Sequence, residues 1–369
     1  MIPYSCPKAQ YLAYQHEIDD AIRQVLDSGS YILGKAVETF EHQLAGYLNI
    51  HHTIGVANGT EALFIAMKGL NIGPGDEVIA PSHTADPTIA AILMTGATPV
   101  FVDIEPTYYT LSASDVAAKI TKNTKAVIAV HLYGQAADLT TLLKLRDQYG
   151  FRLIEDCAQA IGTQYNNSPV GSFGDVACFS FFPTKNLGAI GDAGAIATND
   201  EKLANKFRSL RQYGWDNHRL ALEAGYNSRL DELQAAILSV KLKHLKSSIN
   251  KRRQVAQYYY DNLAKLPINL PQERPNTTHS YHLFVVQFHA GQRNAFIEYM
   301  RQNSIICGIH YRHAAHQMPA YKSFSPKASL THTEKIVNNI VSMPLYPELT
   351  SDNLNAIITT SKKFFERNI

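Results

Sequence analysis

The sequence has few cysteines and no long run of apolar residues. Its four cysteines are widely separated and form neither a CxxC pair nor a zinc-binding pattern: Cys6, Cys157, Cys178 and Cys307. Scattered cysteines are typical of free thiols in a reducing cytoplasm. The first eight residues lack the basic and apolar regions of a signal peptide, and no stretch approaches the ~18 apolar residues of a membrane span. We therefore expect a cytoplasmic protein without a membrane segment.

The sequence also lacks an excess of charge of one sign. Its 34 Lys and Arg residues nearly balance 32 Asp and Glu residues, and the formal net charge is +2. A broad nucleic-acid-binding surface needs a larger positive excess, so we expect no nucleic-acid partner. Hydrophobic residues make up 45% of the 369 positions, which suffices for more than one folded core.

Short apolar runs alternate with helical patterns through the first two thirds of the chain. The runs lie at residues 78–80, 98–103, 126–131 and 152–156. Runs without polar alternation favour strands that are covered on both faces, as in a parallel sheet. Helix-like residues before the first run and between the last two predict crossover helices at 61–68 and 139–148, ended by Gly73 and Gly150 respectively. This pattern predicts an α/β architecture.

The last third of the chain has a different pattern. A long helix is predicted from near Ser228 past Tyr260, and Asn227 or Ser228 could cap its N-terminus. Beyond it, the pattern predicts a strand and two helices, at 281–288, at 293–302 and from Ser351 to near the end. We therefore expect a large domain with a mostly parallel sheet covered by helices, residues 1–245, and a smaller α+β domain, residues 246–369.

Polar residues stand where the strands of the predicted sheet end, and ligands of open parallel sheets bind at such ends. Gly59 and Thr60 open a helix whose free N–H groups can bind an anion, although Thr60 could instead be the N-cap. Asp156 ends an apolar strand and needs a positive or proton-donating partner, such as a protonated pyridine nitrogen, unless it only caps the next turn. Its neighbour Glu155 points to the opposite face of the strand.

Lys185 is the lysine with the most unusual surroundings. It is the one charged residue in the segment 176–191, which is otherwise made mainly of apolar residues and glycines. Apolar surroundings favour loss of the proton from a lysine, which makes its amine nucleophilic towards an aldehyde. The glycines would let the backbone approach a flat ring, and Ser180 could donate a hydrogen bond to a phosphate.

Together, these segments resemble the DegT-type nucleotide-sugar aminotransferase family, whose members are fold-type-I pyridoxal-phosphate enzymes with an aspartate aminotransferase-like fold. The matching segments follow the family's order through almost the whole chain, at 31–34, 40–41, 57–63, 73–78, 131–134, 155–162, 179–185 and 225–232. The ordered set is specific, although each segment alone is not. The resemblance implies pyridoxal phosphate as cofactor, glutamate as amino donor and a nucleotide-linked keto-sugar as acceptor, in the biosynthesis of amino sugars for surface polysaccharides.

The resemblance also implies roles for individual residues. Lys185 would form a Schiff base with the cofactor and move a proton to the sugar carbon, and Asp156 would keep the pyridine nitrogen protonated. Gln159 would contact the ring, and Asn227 would reach the phosphate in the neighbouring subunit, so a homodimer with shared active sites is expected. The phosphate ligands within the chain would be Gly59, Thr60 and Ser180. Residues expected near the sugar are His131, Tyr133, Arg229, His310 and Arg312.

Two segments depart from the family pattern. Ala85 stands where many members place an aromatic residue over the cofactor ring. His83 is the nearest ring that could stack there, or it is a hydrogen-bonded loop histidine. Where family members often have His-Tyr-Pro, this chain has His310-Tyr311-Arg312. Arg312 could pair with a diphosphate or carboxylate of the substrate, or it could be a surface arginine.

The segment after the lysine favours amination of a 3-keto sugar. Residues 185–194 resemble members that act at the 3-position, whereas members that act at the 4-position more often have Thr-Thr-Gly-Glu-Gly-Gly there. We therefore expect a dTDP- or UDP-linked 3-keto-(6-deoxy)hexose as acceptor, with a 4-keto sugar as the alternative. A sugar dehydratase of this fold would have histidine in place of Lys185, and a non-catalytic regulatory relative would lose Lys185 or Asp156.

Overall fold

The computed structural model describes residues 1–289, 291–324 and 329–366. The strands are β1 His52–Val56, β2 Glu77–Pro81, β3 Thr98–Val102, β4 Thr124–Val130, β5 Arg152–Asp156, β6 Gln164–Tyr165, β7 Ser168–Pro169, β8 Val176–Ser180, β9 Gly194–Thr198, β10 Ile268–Asn269, β11 Thr277–Thr278, β12 Phe284–Phe288 and β13 Ile340–Met343. The α-helices are α1 Pro7–Ala13, α2 Gln15–Ser28, α3 Lys35–Leu48, α4 Gly59–Gly69, α5 Asp86–Thr95, α6 Ala113–Lys119, α7 Leu139–Tyr149, α8 Glu201–Leu210, α9 Glu232–Leu263, α10 Arg293–Gln302, α11 Thr331–Ile336 and α12 Ser351–Glu366.

A seven-stranded sheet forms the centre of the molecule, in the order β1-β9-β8-β5-β4-β2-β3. Strands β3, β2, β4, β5 and β8 pair in parallel, and β9 is antiparallel to both of its neighbours, β8 and β1. The mostly parallel sheet confirms the predicted α/β fold class.

Both faces of this sheet are buried, which explains the absence of polar alternation in its strands. In β4, Ile128 and Val130 face one core cluster, whereas Val127 and Ala129 face the other. Apolar residues of α4, α5 and α8 belong to the first cluster, and those of α3, α7 and α9 belong to the second. Helices therefore cover both faces, and the loops at the carboxyl ends of the parallel strands remain available for a site.

A smaller antiparallel sheet, β10-β12-β13, lies in the C-terminal part. It packs with α10, α12 and the second half of α9 in a third core cluster. The 32-residue helix α9 joins the two parts, because Leu242 packs in a core cluster of the large sheet and Tyr259 packs in the third cluster. The predicted domain boundary after residue 245 falls inside this helix and stays a prediction.

Two helix ends differ from those expected. Gly150 ends α7 in a left-handed conformation (φ 77°), as predicted, but α4 ends at Gly69 rather than at Gly73. Helix α9 begins at Glu232 and not near Ser228, because the backbone there pairs elsewhere: Asn227 forms a bridge with Gln212, and the N–H of Ser228 bonds to the carbonyl of Arg211 (2.9 Å). Neither Asn227 nor Ser228 is therefore the N-cap, which is Asp231.

The strand predicted at 281–288 is shorter in the structure. Strand β12 begins at Phe284, because Tyr281 has a left-handed backbone (φ 45°) and the N–H of Leu283 bonds to the carbonyl of Tyr133 (3.2 Å). This irregular segment carries His282 to the cavity described below.

The remaining expectations concern membranes and thiols. Within the described ranges, no helix combines the length and the apolar character that crossing a bilayer requires. All four cysteines have free thiols, and Cys157 and Cys178 are buried.

Candidate active site

A cavity of about 340 Å³ lies at the carboxyl ends of the parallel strands. Seven of the predicted site residues line it: Gly59, Thr60, Asp156, Gln159, Ser180, Lys185 and His310. They come from distant parts of the chain, and the fold brings them together.

Lys185 lies in a turn after β8, where its backbone N–H bonds to the carbonyl of Phe182 (2.8 Å). Burial lowers the pKa of Lys185 to about 8, and the negative charge of Asp156 opposes this shift. A substantial fraction of this lysine is therefore neutral near physiological pH, as a nucleophilic amine requires.

Asp156 is buried at the end of β5. Its Oδ2 accepts a hydrogen bond from Thr88 Oγ1 (2.9 Å), and its Oδ1 accepts one from the N–H of Ala158 (3.1 Å). Burial raises the pKa of Asp156, although these two hydrogen bonds and Lys185 work in the opposite direction. The carboxyl group thus caps the following turn and also lines the cavity, so the two interpretations from the sequence are compatible.

Glu155 faces away from this cavity, as strand geometry predicts. Its carboxylate accepts hydrogen bonds from the N–H groups of Gly171, Phe173 and Gly174, and it pairs with Nε2 of His131 (3.0 Å). Burial alone would raise the pKa of Glu155, but these partners lower it. His131 is fully buried in this contact and does not line the cavity, so the structure does not place it at the expected sugar site.

The N-terminus of α4 forms a cradle for an anion. Asn58 is the N-cap, because its side chain accepts from the N–H of Glu61 (2.9 Å) and its carbonyl accepts from that of Ala62 (3.0 Å). The N–H groups of Gly59 and Thr60 have no acceptor in the described part of the chain, and both residues line the cavity. Thr60 is therefore not the N-cap, and its expected role as a phosphate ligand is compatible with the structure.

Gly59 makes this cradle narrow. A Cβ atom at Gly59 would lie 2.7 Å from Cβ of Ser180, so only glycine lets the two segments approach this closely. The free N–H groups, the Ser180 hydroxyl and the positive end of the helix dipole fit a phosphate group.

Gln159 is held in place at the cavity wall. Its Oε1 accepts from the N–H of Tyr133 (2.8 Å), and its Nε2 donates to the hydroxyl of Tyr311 (2.7 Å). Tyr311 itself lines the cavity, and burial raises the pKa of its hydroxyl.

His83 and Tyr133 lie behind the cavity wall. The hydroxyl of Tyr133 donates to the carbonyl of His310, so we assign His83 as the tautomer whose Nε2–H donates to Tyr133 (2.6 Å). Burial lowers the pKa of His83 to about 3. The structure therefore places His83 as a neutral, hydrogen-bonded loop histidine, and Ala85 lines the cavity instead.

Three further predicted residues, Asn227, Arg229 and Arg312, also lie outside the cavity of their own chain. Asn227 and Arg312 are exposed, and the guanidinium of Arg229 stands 5.8 Å above the ring of Tyr213. Lys185 is the sole lysine or arginine on the cavity wall within the described residues.

The sequence did not single out Thr88 or Tyr4, which also line the cavity. Thr88 is the third residue of α5, the helix that follows strand β2, and this place in the first turn of a helix after a parallel strand was the available signal for it. Tyr311 occurs in the family's His-Tyr segment, and nothing in the sequence distinguishes it as a contact of Gln159.

These residues fit pyridoxal phosphate. The group supplies, when bound, an aldehyde that reacts with amines and a ring that accepts electrons. Lys185 provides an amine whose lowered pKa leaves part of it neutral, so that it can attack a carbonyl and carry a proton, and Asp156 provides a buried carboxylate for a protonated ring nitrogen. The cradle of Gly59, Thr60 and Ser180 suits its phosphate. Fold and cavity together define a pyridoxal-phosphate enzyme of fold type I.

The chain belongs to the DegT/DnrJ/EryC1/StrS aminotransferase family, whose model matches residues 13–362. It is 41% identical over 366 residues to UDP-N-acetyl-3-dehydro-alpha-D-glucosamine 3-aminotransferase of Acidithiobacillus ferrooxidans, covering 98% of this chain and 97% of that protein. It is 40% identical over 368 residues to dTDP-3-amino-3,4,6-trideoxy-alpha-D-glucose transaminase of Streptomyces venezuelae, covering 99% and 97%. The crystal structure of S. venezuelae DesV with a ketimine intermediate matches with a TM-score of 0.96 and 41% identity over 99% of each chain. The protein is thus a pyridoxal-phosphate-dependent aminotransferase.

Proposed function

We propose that this protein transfers the amino group of glutamate to C3 of a keto-sugar carried by UDP or dTDP. The observation that carries this proposal is the agreement between two relatives of 40% and 41% identity, both named for 3-amino sugar nucleotides. The cavity supports it, because Lys185 and Asp156 are both present and face the same space. A 4-keto sugar nucleotide is the alternative acceptor.

We also propose a homodimer in which each active site uses residues of both subunits. The cofactor phosphate, the substrate diphosphate and the glutamate carboxylates are all anionic, yet Lys185 is the one cation of the Lys or Arg type on the described cavity wall. Asn227 and Arg229 do not line the cavity of their own chain. Phe182 and Ile190, next to the Lys185 turn, are 49% and 53% exposed, which suits cover by a second copy.

The test is a panel of acceptors with purified protein, pyridoxal phosphate and glutamate. UDP-N-acetyl-3-dehydroglucosamine, a dTDP-3-keto-6-deoxyhexose and a dTDP-4-keto-6-deoxyhexose are each incubated, and amino products are detected by mass spectrometry and located by NMR. We expect amination at C3. Amination of the 4-keto sugar alone would favour the alternative, and no product from any acceptor would refute the proposal.

Variants of Lys185 serve as controls for the chemistry. Lys185→Ala and Lys185→Arg should fold but lose turnover. Alanine has no amine, and the guanidinium of arginine stays protonated and cannot form an imine. Lys125→Ala is the matched control, since Lys125 is exposed near the start of β4. More than a few per cent of wild-type turnover in Lys185→Ala would contradict the role of this lysine.

A further inference from the structure

We propose that Tyr4 binds the sugar of the nucleotide-sugar acceptor and helps to select it, an inference that rests on the proposed function. Tyr4 lines the cavity, and its ring lies 5.6 Å from that of His310. Its hydroxyl has no hydrogen-bond partner among the described residues. The cavity wall thus contains a phenol whose hydrogen-bonding capacity no protein group uses.

The N-terminal segment holds Tyr4 in a fixed position. The N–H of Ile2 bonds to the carbonyl of Ser304 (2.7 Å), and the carbonyl of Ile2 accepts from Ile306 (2.9 Å). The carbonyl of Tyr4 accepts from the N–H of Leu345 (3.1 Å). The first residues of a chain usually fray unless they are tied down, so these bonds hold the backbone that carries the ring beside the cavity.

A buried arginine strengthens this attachment. Arg252 donates hydrogen bonds to the carbonyls of Tyr281 (3.2 Å) and Leu345 (3.3 Å). It therefore joins helix α9 both to the segment that carries His282 and to the residue that bonds Tyr4. Because the backbone at Tyr4 is positioned before any ligand arrives, little backbone entropy is lost when the side chain binds one.

The position of Tyr4 points to the acceptor and not to the cofactor. The groups that fit the cofactor, Lys185, Asp156 and the phosphate cradle, come from the large sheet and its loops. Tyr4 instead comes from the N-terminal segment, which is bonded to the C-terminal part of the chain, and its ring lies beside that of His310. Burial and the charge of Lys185 lower the pKa of His310 to about 4, which places this wall within electrostatic reach of the reactive amine. A phenol suits a sugar there, because its ring packs on C–H groups and its hydroxyl pairs with sugar hydroxyls.

The test separates the two halves of the amino transfer. Tyr4→Phe keeps the ring and removes the hydroxyl. We expect the KM for the keto-sugar nucleotide, and the Kd for unreactive UDP-N-acetylglucosamine measured by calorimetry, to rise about 3- to 10-fold, as for one lost hydrogen bond. The glutamate half-reaction, followed by absorbance in single turnover, should stay unchanged. Tyr4→Ala should raise both sugar constants further.

Tyr11→Phe is the matched control, because its hydroxyl donates to Asp19 (2.9 Å) away from the cavity. It should leave both half-reactions unchanged. Unaltered sugar constants in Tyr4→Phe, or an equal loss in the glutamate half-reaction, would overturn the assignment of Tyr4. Absence of sugar amination in the wild type, with an intact glutamate half-reaction, would refute the proposed function itself and this inference with it.

Discussion

The hydroxyl of Thr88 donates a hydrogen bond to Oδ2 of Asp156 over 2.9 Å, from the first turn of α5 to the end of β5. Both groups are buried, so this hydrogen bond stabilises the ionised carboxylate at a place that water does not reach. Thr88 also lines the cavity, which places it beside the proposed partner of the ring nitrogen.

Thr88→Val should reduce kcat about tenfold or more, because a hydrogen bond to a charged group contributes about 1.5–3 kcal/mol. Without this donor the pKa of Asp156, already raised by burial, rises further, so the acid limb of the kcat–pH profile should move to higher pH. Thr88→Ser keeps the hydroxyl and should restore both values. A profile that is identical in the valine and serine variants would show that this bond does not act on the carboxylate.

Asp156→Asn should bind cofactor and yet lose several orders of magnitude in rate, since an amide cannot hold the ring nitrogen protonated by charge. The asparagine can still accept from the N–H of Ala158, so the turn should remain folded. Absorbance reports cofactor binding, and amino transfer reports the rate. Near-normal rates would mean that Asp156 is only a turn cap.

The reactivity of Lys185 should depend on pH with a midpoint near 8. Burial lowers the pKa of Lys185 to about 8. The rate at which the apoprotein reacts with pyridoxal phosphate should therefore rise about tenfold with each pH unit up to this midpoint and level off above it. Asp156 raises the pKa of Lys185, so Asp156→Asn should move the midpoint below 8. Stopped-flow absorbance measures the rate, and a midpoint at the ordinary lysine value would contradict the burial of this amine.

Gly59→Ala should weaken cofactor binding by about tenfold or more. The added Cβ would lie 2.7 Å from Cβ and 3.2 Å from Cα of Ser180, so the cradle must widen and lose hydrogen bonds to the phosphate. Gly46→Ala is the matched control, because an added Cβ there meets no atom within 4 Å. Equal cofactor affinities in the two variants, measured by titration of the apoprotein, would show that the cradle does not hold the phosphate.

Asn227 provides a test of the shared site. Asn227→Asp should be inactive through repulsion between its carboxylate and the phosphate. A mixed dimer of Lys185→Ala and Asn227→Asp chains should recover partial activity, because one pocket then combines Lys185 of one chain with Asn227 of the other. The two chains carry different tags for isolation, and amino transfer is measured. An intact mixed dimer without activity, given an inactive Asn227→Asp parent, would place Asn227 outside the partner's pocket.

The sequence predicted elements whose signals are local. Strand β5 and helix α10 have the predicted bounds, since apolar periodicity and end signals lie within each segment. Lys185 and Asp156 could be singled out because an uncharged neighbourhood and a strand end are both visible along the chain.

Contacts between distant residues cannot be predicted from local signals. Thr88 and Asp156 are 68 positions apart, and Tyr4 meets His310 from the other end of the chain. The choice of N-cap for α4 was also undetermined, because asparagine and threonine both cap helices well, and the structure assigns this role to Asn58. Ser228 likewise has a distant partner, the N–H of Ala57, which is 171 positions away.

The cavity wall has two parts, which differ in how tightly their residues are packed. The amine, the carboxylate and the phosphate cradle belong to the central sheet, whose strands are packed on both faces and tolerate little change. Tyr4, His310 and Tyr311 belong to the N-terminal segment and an irregular stretch of the C-terminal part. Because Tyr4 makes no hydrogen bond to a described residue of the reacting groups, a change at this position can alter acceptor binding while Lys185 and Asp156 keep their places.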